Sequence, residues 1–265
     1  MTTVREPACA GRFYPAESGS LRRQVEGHLD DDADAPDGSA RAVIAPHAGY
    51  RFSGPTAGRA FGWLAAAGIE PERVLLVGPS HFERFEGLAV PSHDAWSTPL
   101  GPVDVDRRAV QSLSKRDGVA VDDTPHRREH SLETHLPFLQ VLFDDPAIVP
   151  IVTGRAPARA VAAAIEEATD DATVVSISSD LSHYLDYETA REIDDETRRA
   201  IEDLSPESID ERQACGSLAI RGWLLRASAE DCRVETLDMR NSGDTAGGRD
   251  EVVGYGAWGF SRTSA

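Results

Sequence analysis

Seven short runs dominated by valine, isoleucine, leucine and alanine punctuate the chain, at residues 41–47, 73–81, 87–92, 147–154, 173–180, 234–240 and 252–260. Each has the length of a β-strand, and the β-branched residues in most of them suit a pleated, buried backbone. Between these runs the apolar positions recur at helical spacing. The clearest case lies at 186–204, where Tyr187, Ala190, Ile193, Thr197, Ile201 and Leu204 return every three or four residues and the intervening charges form a solvated face. Similar patterns cover 17–29, 56–67, 106–116, 133–143, 156–169 and 215–229. Strands that read as unbroken apolar runs are covered on both faces. Their alternation with helices predicts an α/β fold, a mainly parallel or mixed β-sheet with helices on both faces, in a single domain over residues 1–265.

The stretch 30–40, acidic and containing proline and glycine, reads as a surface loop, because too little chain precedes it to form a domain. No internal repeat is visible. The formal net charge of −18 and a pI near 4.8 argue against nucleic acid or an anionic membrane surface as the main partner, since both would repel the chain. Lys115 is the single lysine, and the other 26 of the 27 basic residues are arginine. An acidic, lysine-poor surface suits a cytoplasm of molar salt, where the Debye length falls to about 3 Å and self-repulsion is screened. A halophilic source is therefore expected, with an ordinary acidic protein of a GC-rich genome as the alternative. Cys9, Cys215 and Cys232 are odd in number and form no CxxC spacing, which points to neither a disulfide framework nor a structural zinc site. With no signal-peptide core and no run of about 20 apolar residues, the expected location is the cytoplasm.

Candidate chemistry gathers at strand ends, where open α/β sheets bind their ligands. The run at 41–47 delivers His47, the run at 73–81 delivers His81, and the run at 173–180 delivers Asp180 with His183 just beyond. A histidine after a strand is most often a hydrogen-bonded structural residue, but three strand ends that each terminate in one point to a shared polar site. Imidazoles held on separate strands are rigid enough to fix a metal's coordination geometry. Candidates for a third ligand are Asp180, His183, the histidines of 128–138 and Cys215. A thiol in the first turn of a helix has its thiolate favoured by the helix dipole, but on the residues alone Cys215 beside Gly216 reads rather as a small buried hydrophobe. In "REHSLETHLPF" (128–138) His130 and His135 stand five apart, so they do not form the paired ligands of a zinc protease. His130 or Glu133 could support a ligand or move a proton, or Ser131 and Glu133 could simply cap the following helix. His28, His93 and His126 read as bystanders in polar loop or helix-surface contexts. No glycine spacing indicates a nucleotide site.

The segments "REPACAGRFYP" (5–15), "APHAGYRFSGPTAG" (45–58), "LLVGPSH" (75–81), "WSTPLGPVDVD" (96–106), "REHSLETHLPFLQ" (128–140), "VPIVTG" (149–154), "SSDLSHY" (178–184), "CGSLAI" (215–220), "RNSGD" (240–244) and "VGYGAWGF" (253–260) resemble, in order and across nearly the whole chain, the Memo-like proteins, also called component B of the AmmeMemoRadiSam system. The resemblance implies a fold similar to that of class III extradiol dioxygenases. It further implies a metal site for iron (Fe2+), and perhaps copper, made by His47, His81 and Cys215, with Asp180 and His183 close by for proton transfer or ligand support. A thiolate would then stand where the dioxygenases carry a carboxylate, and sulfur is softer and itself oxidisable. Two functions from different classes follow. One is a metal-dependent oxidoreductase; the other is a non-catalytic accessory or protein-binding component working beside a radical-SAM partner. A cationic lining is what a phosphopeptide pocket would need, and an acidic chain speaks against it.

Overall fold

The computed structural model describes residues 2–29 and 34–262. In chain order the elements are β1 (Val4–Arg5), α1 (Ser18–Glu26), β2 (Ser39–Ala45), α2 (Tyr50–Ala66), β3 (Arg73–Pro79), β4 (Leu88–Val90), β5 (Ala95–Thr98), β6 (Gly101–Asp104), α3 (Arg107–Leu113) and β7 (Val119–Val121). There follow α4 (Thr124–Arg127), α5 (Leu136–Leu142), β8 (Ala147–Thr153), α6 (Ala158–Ala168), β9 (Thr173–Ser178), β10 (His183–Leu185), α7 (Tyr187–Glu202), α8 (Ser217–Ala229), β11 (Cys232–Asn241) and β12 (Val252–Arg262). Short 3-10 turns precede α5 at Glu133–His135 and fall at Pro206–Ser208 and Ser242–Asp244. Of the acidic loop expected at 30–40, residues 30–33 lie outside the described residues.

A mixed sheet runs in the order β7, β4, β8, β3, β9, β2, β12, with β11 and β10 both paired to β12. Its centre, β8, β3, β9 and β2, is wholly parallel. These four strands are four of the seven apolar runs of the sequence, and burial on both faces explains their composition. Neighbouring residues of β12 demonstrate the two layers: Gly259 faces Trp63 of α2, whereas the ring of Phe260 meets Trp223 of α8 edge-on at 5.5 Å. The α2 layer continues through Phe61, which stacks on Phe138 of α5 at 4.9 Å. A separate three-stranded sheet joins β1, β5 and β6. Its strands of two to four residues are too short for a periodic signal, and the sequence reading did not anticipate it.

Helix α2 begins at Tyr50, six residues before the expected start at 56. The glycines and Pro55 of "GYRFSGPTAG" suggest a turn, but Gly54 and Gly58 are packing positions, where a Cβ would overlap the ring and the carbonyl of His28. His126 also departs from its expected polar setting. It is fully buried, its Nε2–H donates to Ala89 O at 3.2 Å, and its ring meets Trp96 at 5.6 Å.

Burial, joined by the charge of Arg5, brings His126 down to about 3, and burial brings His135 down to about 4, from an ordinary 6.5. Both rings are neutral when folded, so unfolding binds protons once the pH falls below 6.5 and stability is lost on acidification. Asp194 opposes this, because burial pushes its carboxyl up to about 6. Between pH 7 and pH 5 the balance of the three predicts a loss of about 2–3 kcal/mol of unfolding free energy. Urea titrations at the two pH values check it, and equal midpoints would contradict the assignment.

Candidate metal centre

The adjacent parallel strands β2, β9 and β3 end side by side, and the chain leaves each of them toward the same point. His47 stands two residues past β2, His81 two past β3, and Asp180 two past β9. His130 arrives from the segment before α5. Ligand nitrogens of His47, His81 and His130 all lie within 4.8 Å of one another. The ring of His130 stacks on that of His81 at 4.5 Å between centroids, and both meet His47 edge-on, at 5.4 and 5.1 Å. His47 is 1% exposed, while the side chains of His130 and His81 are 14% and 27% exposed, so the group opens to solvent on the His81 side.

Burial, followed by the repulsion of the neighbouring histidines, holds His47 well below 6.5, and burial brings His130 down to about 4. Both are neutral at physiological pH and can present lone pairs to an ion. The tautomer of His47 follows from Ser178. The Ser178 hydroxyl spends its single proton on Ser131 O at 2.6 Å, so at 2.7 Å it can only accept, from Nδ1–H of His47. Nε2 of His47 is left with its lone pair. Glu129 performs the same task for His81: Oε1 accepts Nδ1–H at 2.8 Å and Oε2 accepts the backbone N–H at 2.6 Å. The carboxylate also takes the N–H groups of His130 and Ser131, at 3.0 and 2.9 Å. Burial alone would raise Glu129, but these hydrogen bonds and the charge of His81 bring it down to about 2. Burial likewise works against a charged His81, and Glu129 overcomes it and raises the imidazole. Carboxylate-to-histidine pairs of this kind orient metal-bound imidazoles and raise their basicity.

Ser178 therefore ties the two loops together, and Ser178→Ala is expected to weaken metal binding by about 10–100-fold, as removal of such a supporting partner does. Competition with a chelator of known affinity measures this, and an unchanged constant would refute the tautomer assignment.

Asp180 is 5% exposed and accepts the backbone N–H of His47 at 2.8 Å and of Ala48 at 3.3 Å. Burial pushes its carboxyl up against those bonds, and its place is beneath the β2 loop. His183 donates Nδ1–H to Leu181 O at 2.7 Å, which frees its Nε2. Cys215 lies ahead of Gly216, the residue that caps α8, so it is not in the helix's first turn. Its Sγ is 3.4 Å from Nε2 of His47 and 3.6 Å from Asp180 O. Burial, then the charge of Asp180, pushes the thiol up, so the helix end does not make it a thiolate; a bound cation would. The three-imidazole group thus contains His47, His81 and His130, with Cys215 set against His47. Glu129 and Ser178 have supporting roles that the sequence reading did not assign to them. An acid directly before His130 was the available signal for the first, and nothing in the sequence announced the second.

Residues 5–258 match the family of Memo-like proteins. The chain belongs to the Memo-like family. It is 40% identical over 264 residues to a MEMO1 family protein of Archaeoglobus fulgidus, covering 95% of this chain and 97% of that one. A MEMO1 family protein of Methanopyrus kandleri is 35% identical over 283 residues, covering 97% and 99%. Another, from Methanothermobacter thermautotrophicus, is 34% identical over 276 residues, covering 95% and 98%.

In this Memo-like chain Glu133 neither caps α5 nor touches the imidazole group. Its Oε2 accepts Arg5 Nη1 and Ala8 N, both at 2.7 Å, and its Oε1 accepts Tyr14 OH at 2.6 Å, Cys9 N at 2.9 Å and Cys9 Sγ at 3.0 Å. Arg5 continues the network to His126 O and Glu129 O, both at 2.7 Å, and lies 4.3 Å from the centroid of Trp96. The N-terminal segment is thereby locked onto the segment that carries Glu129 and His130. Ser131 does not cap either, since its hydroxyl donates to Pro79 O at 3.0 Å, just before the His81 loop. No helix among the described residues is long and apolar enough to cross a membrane.

Proposed function

We propose that this Memo-like protein holds iron, with copper as the alternative occupant, on His47 and His81 together with His130 or Cys215, and works as a metal-dependent oxidoreductase of the cytoplasm. The observation that carries the reading is the convergence of three imidazoles, one locked by Ser178 and another by Glu129 in the tautomer a metal requires. A metal so held supplies Lewis acidity and redox chemistry toward O2 or a chelating substrate. The chain's own groups have narrower tasks. Glu129 keeps His81 basic, Asp180 holds the His47 backbone in place, and His183, its Nε2 free, moves a proton between substrate and solvent. Cys215 distinguishes the site from the two-histidine, one-carboxylate set of the extradiol dioxygenases. Its soft sulfur favours copper and is itself oxidisable.

Elemental analysis of protein purified without oxygen and at molar salt tests the proposal, with iron or copper near one per chain expected. Absence of both from folded protein would overturn it. Oxygen uptake by the iron-loaded protein over a panel of catechols tests turnover. Silence there, with capture of a radical-SAM partner, would move the reading to an accessory component.

A further inference from the structure

A cavity adjoins the imidazole group through Cys215. It has a volume of about 740 Å³ and lies at the carboxyl ends of β3 and β8, between the loop that follows β3 and the start of α8. That volume suits a small organic ligand. Cys215 is part of its wall, and the same Sγ is 3.4 Å from Nε2 of His47. A molecule in the cavity therefore reaches to within one side chain of the imidazole group. Pro79, Phe85, Ala156 and Leu218 contribute apolar wall.

The charges on the wall are unequally placed. Arg84, Glu86, Arg155 and Glu211 are exposed, and Glu86 is already paired to Arg155 at 3.1 Å. Among the charged wall residues only Glu83 and Arg221 are half-buried. Among the described residues neither has an ion-pair partner, and the half-buried Arg221 guanidinium has no acceptor from the protein. A guanidinium that the protein leaves without an acceptor beside a cavity can take one from outside. The two Nη groups of an arginine match a planar carboxylate through two parallel hydrogen bonds. Arg221 stands on α8, whose first-turn residues Ser217 and Leu218 also line the cavity and whose Gly216 cap offers no side-chain acceptor. The positive end of that helix adds to the attraction for an anion.

We propose that this cavity binds a small carboxylic acid with an apolar body, its carboxylate on Arg221 and the rest of the molecule directed toward Cys215 and the metal centre. The proposal rests on the metal-centre reading for its purpose, but the affinity it specifies does not depend on a metal. Glu83 sets the selectivity, because its like charge disfavours a second carboxylate on the same molecule.

The test is calorimetric titration of the metal-loaded protein and of the metal-free protein with hexanoate, its neutral isostere hexanamide, and butyl phosphate. Hexanoate is expected to bind at least tenfold more tightly than hexanamide. Arg221→Gln is expected to erase that preference while metal content and melting temperature stay unchanged, and Glu83→Gln is expected to strengthen hexanoate binding. Equal affinity for acid and amide, or native affinity in Arg221→Gln, would overturn the proposal. Tighter binding of butyl phosphate than of hexanoate would replace the carboxylate by a phosphate ester. With Co2+ loaded, relaxation enhancement of the hexanoate methylene protons, lost in Arg221→Gln, places the ligand beside the centre. Its absence would overturn the link between cavity and metal. Elemental analysis reports separately on the metal, so a protein that binds hexanoate but no metal fails only the earlier reading.

Discussion

Replacing His47 with alanine is expected to lower metal affinity by more than about 100-fold, beyond the range seen when only a supporting partner of a ligand is lost. His47 belongs to both candidate donor sets, the three imidazoles and the pair with Cys215, so neither can form without it. It is the most buried of the three histidines, and its main-chain N–H remains tied to Asp180 whatever the side chain, so the β2 loop is expected to keep its shape. The variant should melt near the native temperature and bind almost no iron or copper by elemental analysis. Native metal content would sink the site. Parallel changes at His130 and Cys215 separate the donor sets. With Co2+ as the probe, a thiolate-to-metal charge-transfer band that vanishes in Cys215→Ala and persists in His130→Ala assigns sulfur to the ion. The absence of such a band in the native protein, with metal lost in His130→Ala, assigns three nitrogens.

Glu133→Ala is expected to cost about 3–5 kcal/mol of stability, the penalty for leaving a buried charge without its partner. Arg5 and Glu133 have side chains 2% and 0% exposed, so water cannot replace the lost carboxylate. Burial opposes the charge of Glu133, and Arg5, Cys9, Tyr14 and the Ala8 N–H together hold it below the ordinary range. The same charge, after burial itself, pushes the Cys9 thiol and the Tyr14 phenol up, so both remain protonated and can donate. Glu133→Gln keeps an acceptor oxygen and is expected to lose less, because Arg5 retains its bonds to His126 O and Glu129 O. Urea unfolding at pH 7 measures both. A loss under 1 kcal/mol in the alanine variant would show that the network stabilises little. Since Glu133 lies three residues after His130, the alanine variant should also bind metal more weakly, whereas the glutamine variant should not.

Much of this was legible in the chain itself. The apolar runs at 73–81, 147–154 and 173–180 became the parallel centre because continuous Val and Ile can be buried only where both sheet faces are covered. His47 and His81 were visible as candidates because a polar residue that ends such a run must emerge at a strand's carboxyl end. Other features were not visible. The short strands of the three-stranded sheet carry no period, and the glycines of α2 resemble turn residues until His28 is found against them. Charge and sequence proximity suggested a cap at Glu133, whereas its partners Arg5, Cys9 and Tyr14 come from more than a hundred residues away.

The sequence by itself determined the long strands of the main sheet, most of the helices, the family and two of the three clustered histidines, because periodicity and motif are local properties of the chain. Only the tertiary structure decided that His130 joins His47 and His81, that Glu129 and Ser178 set their tautomers, and that Asp180 supports the β2 loop. Those assignments depend on which loops the parallel register of β2, β9 and β3 brings together. A hydroxyl's single proton and a carboxylate's two oxygens acquire their roles only when the donors around them are in place.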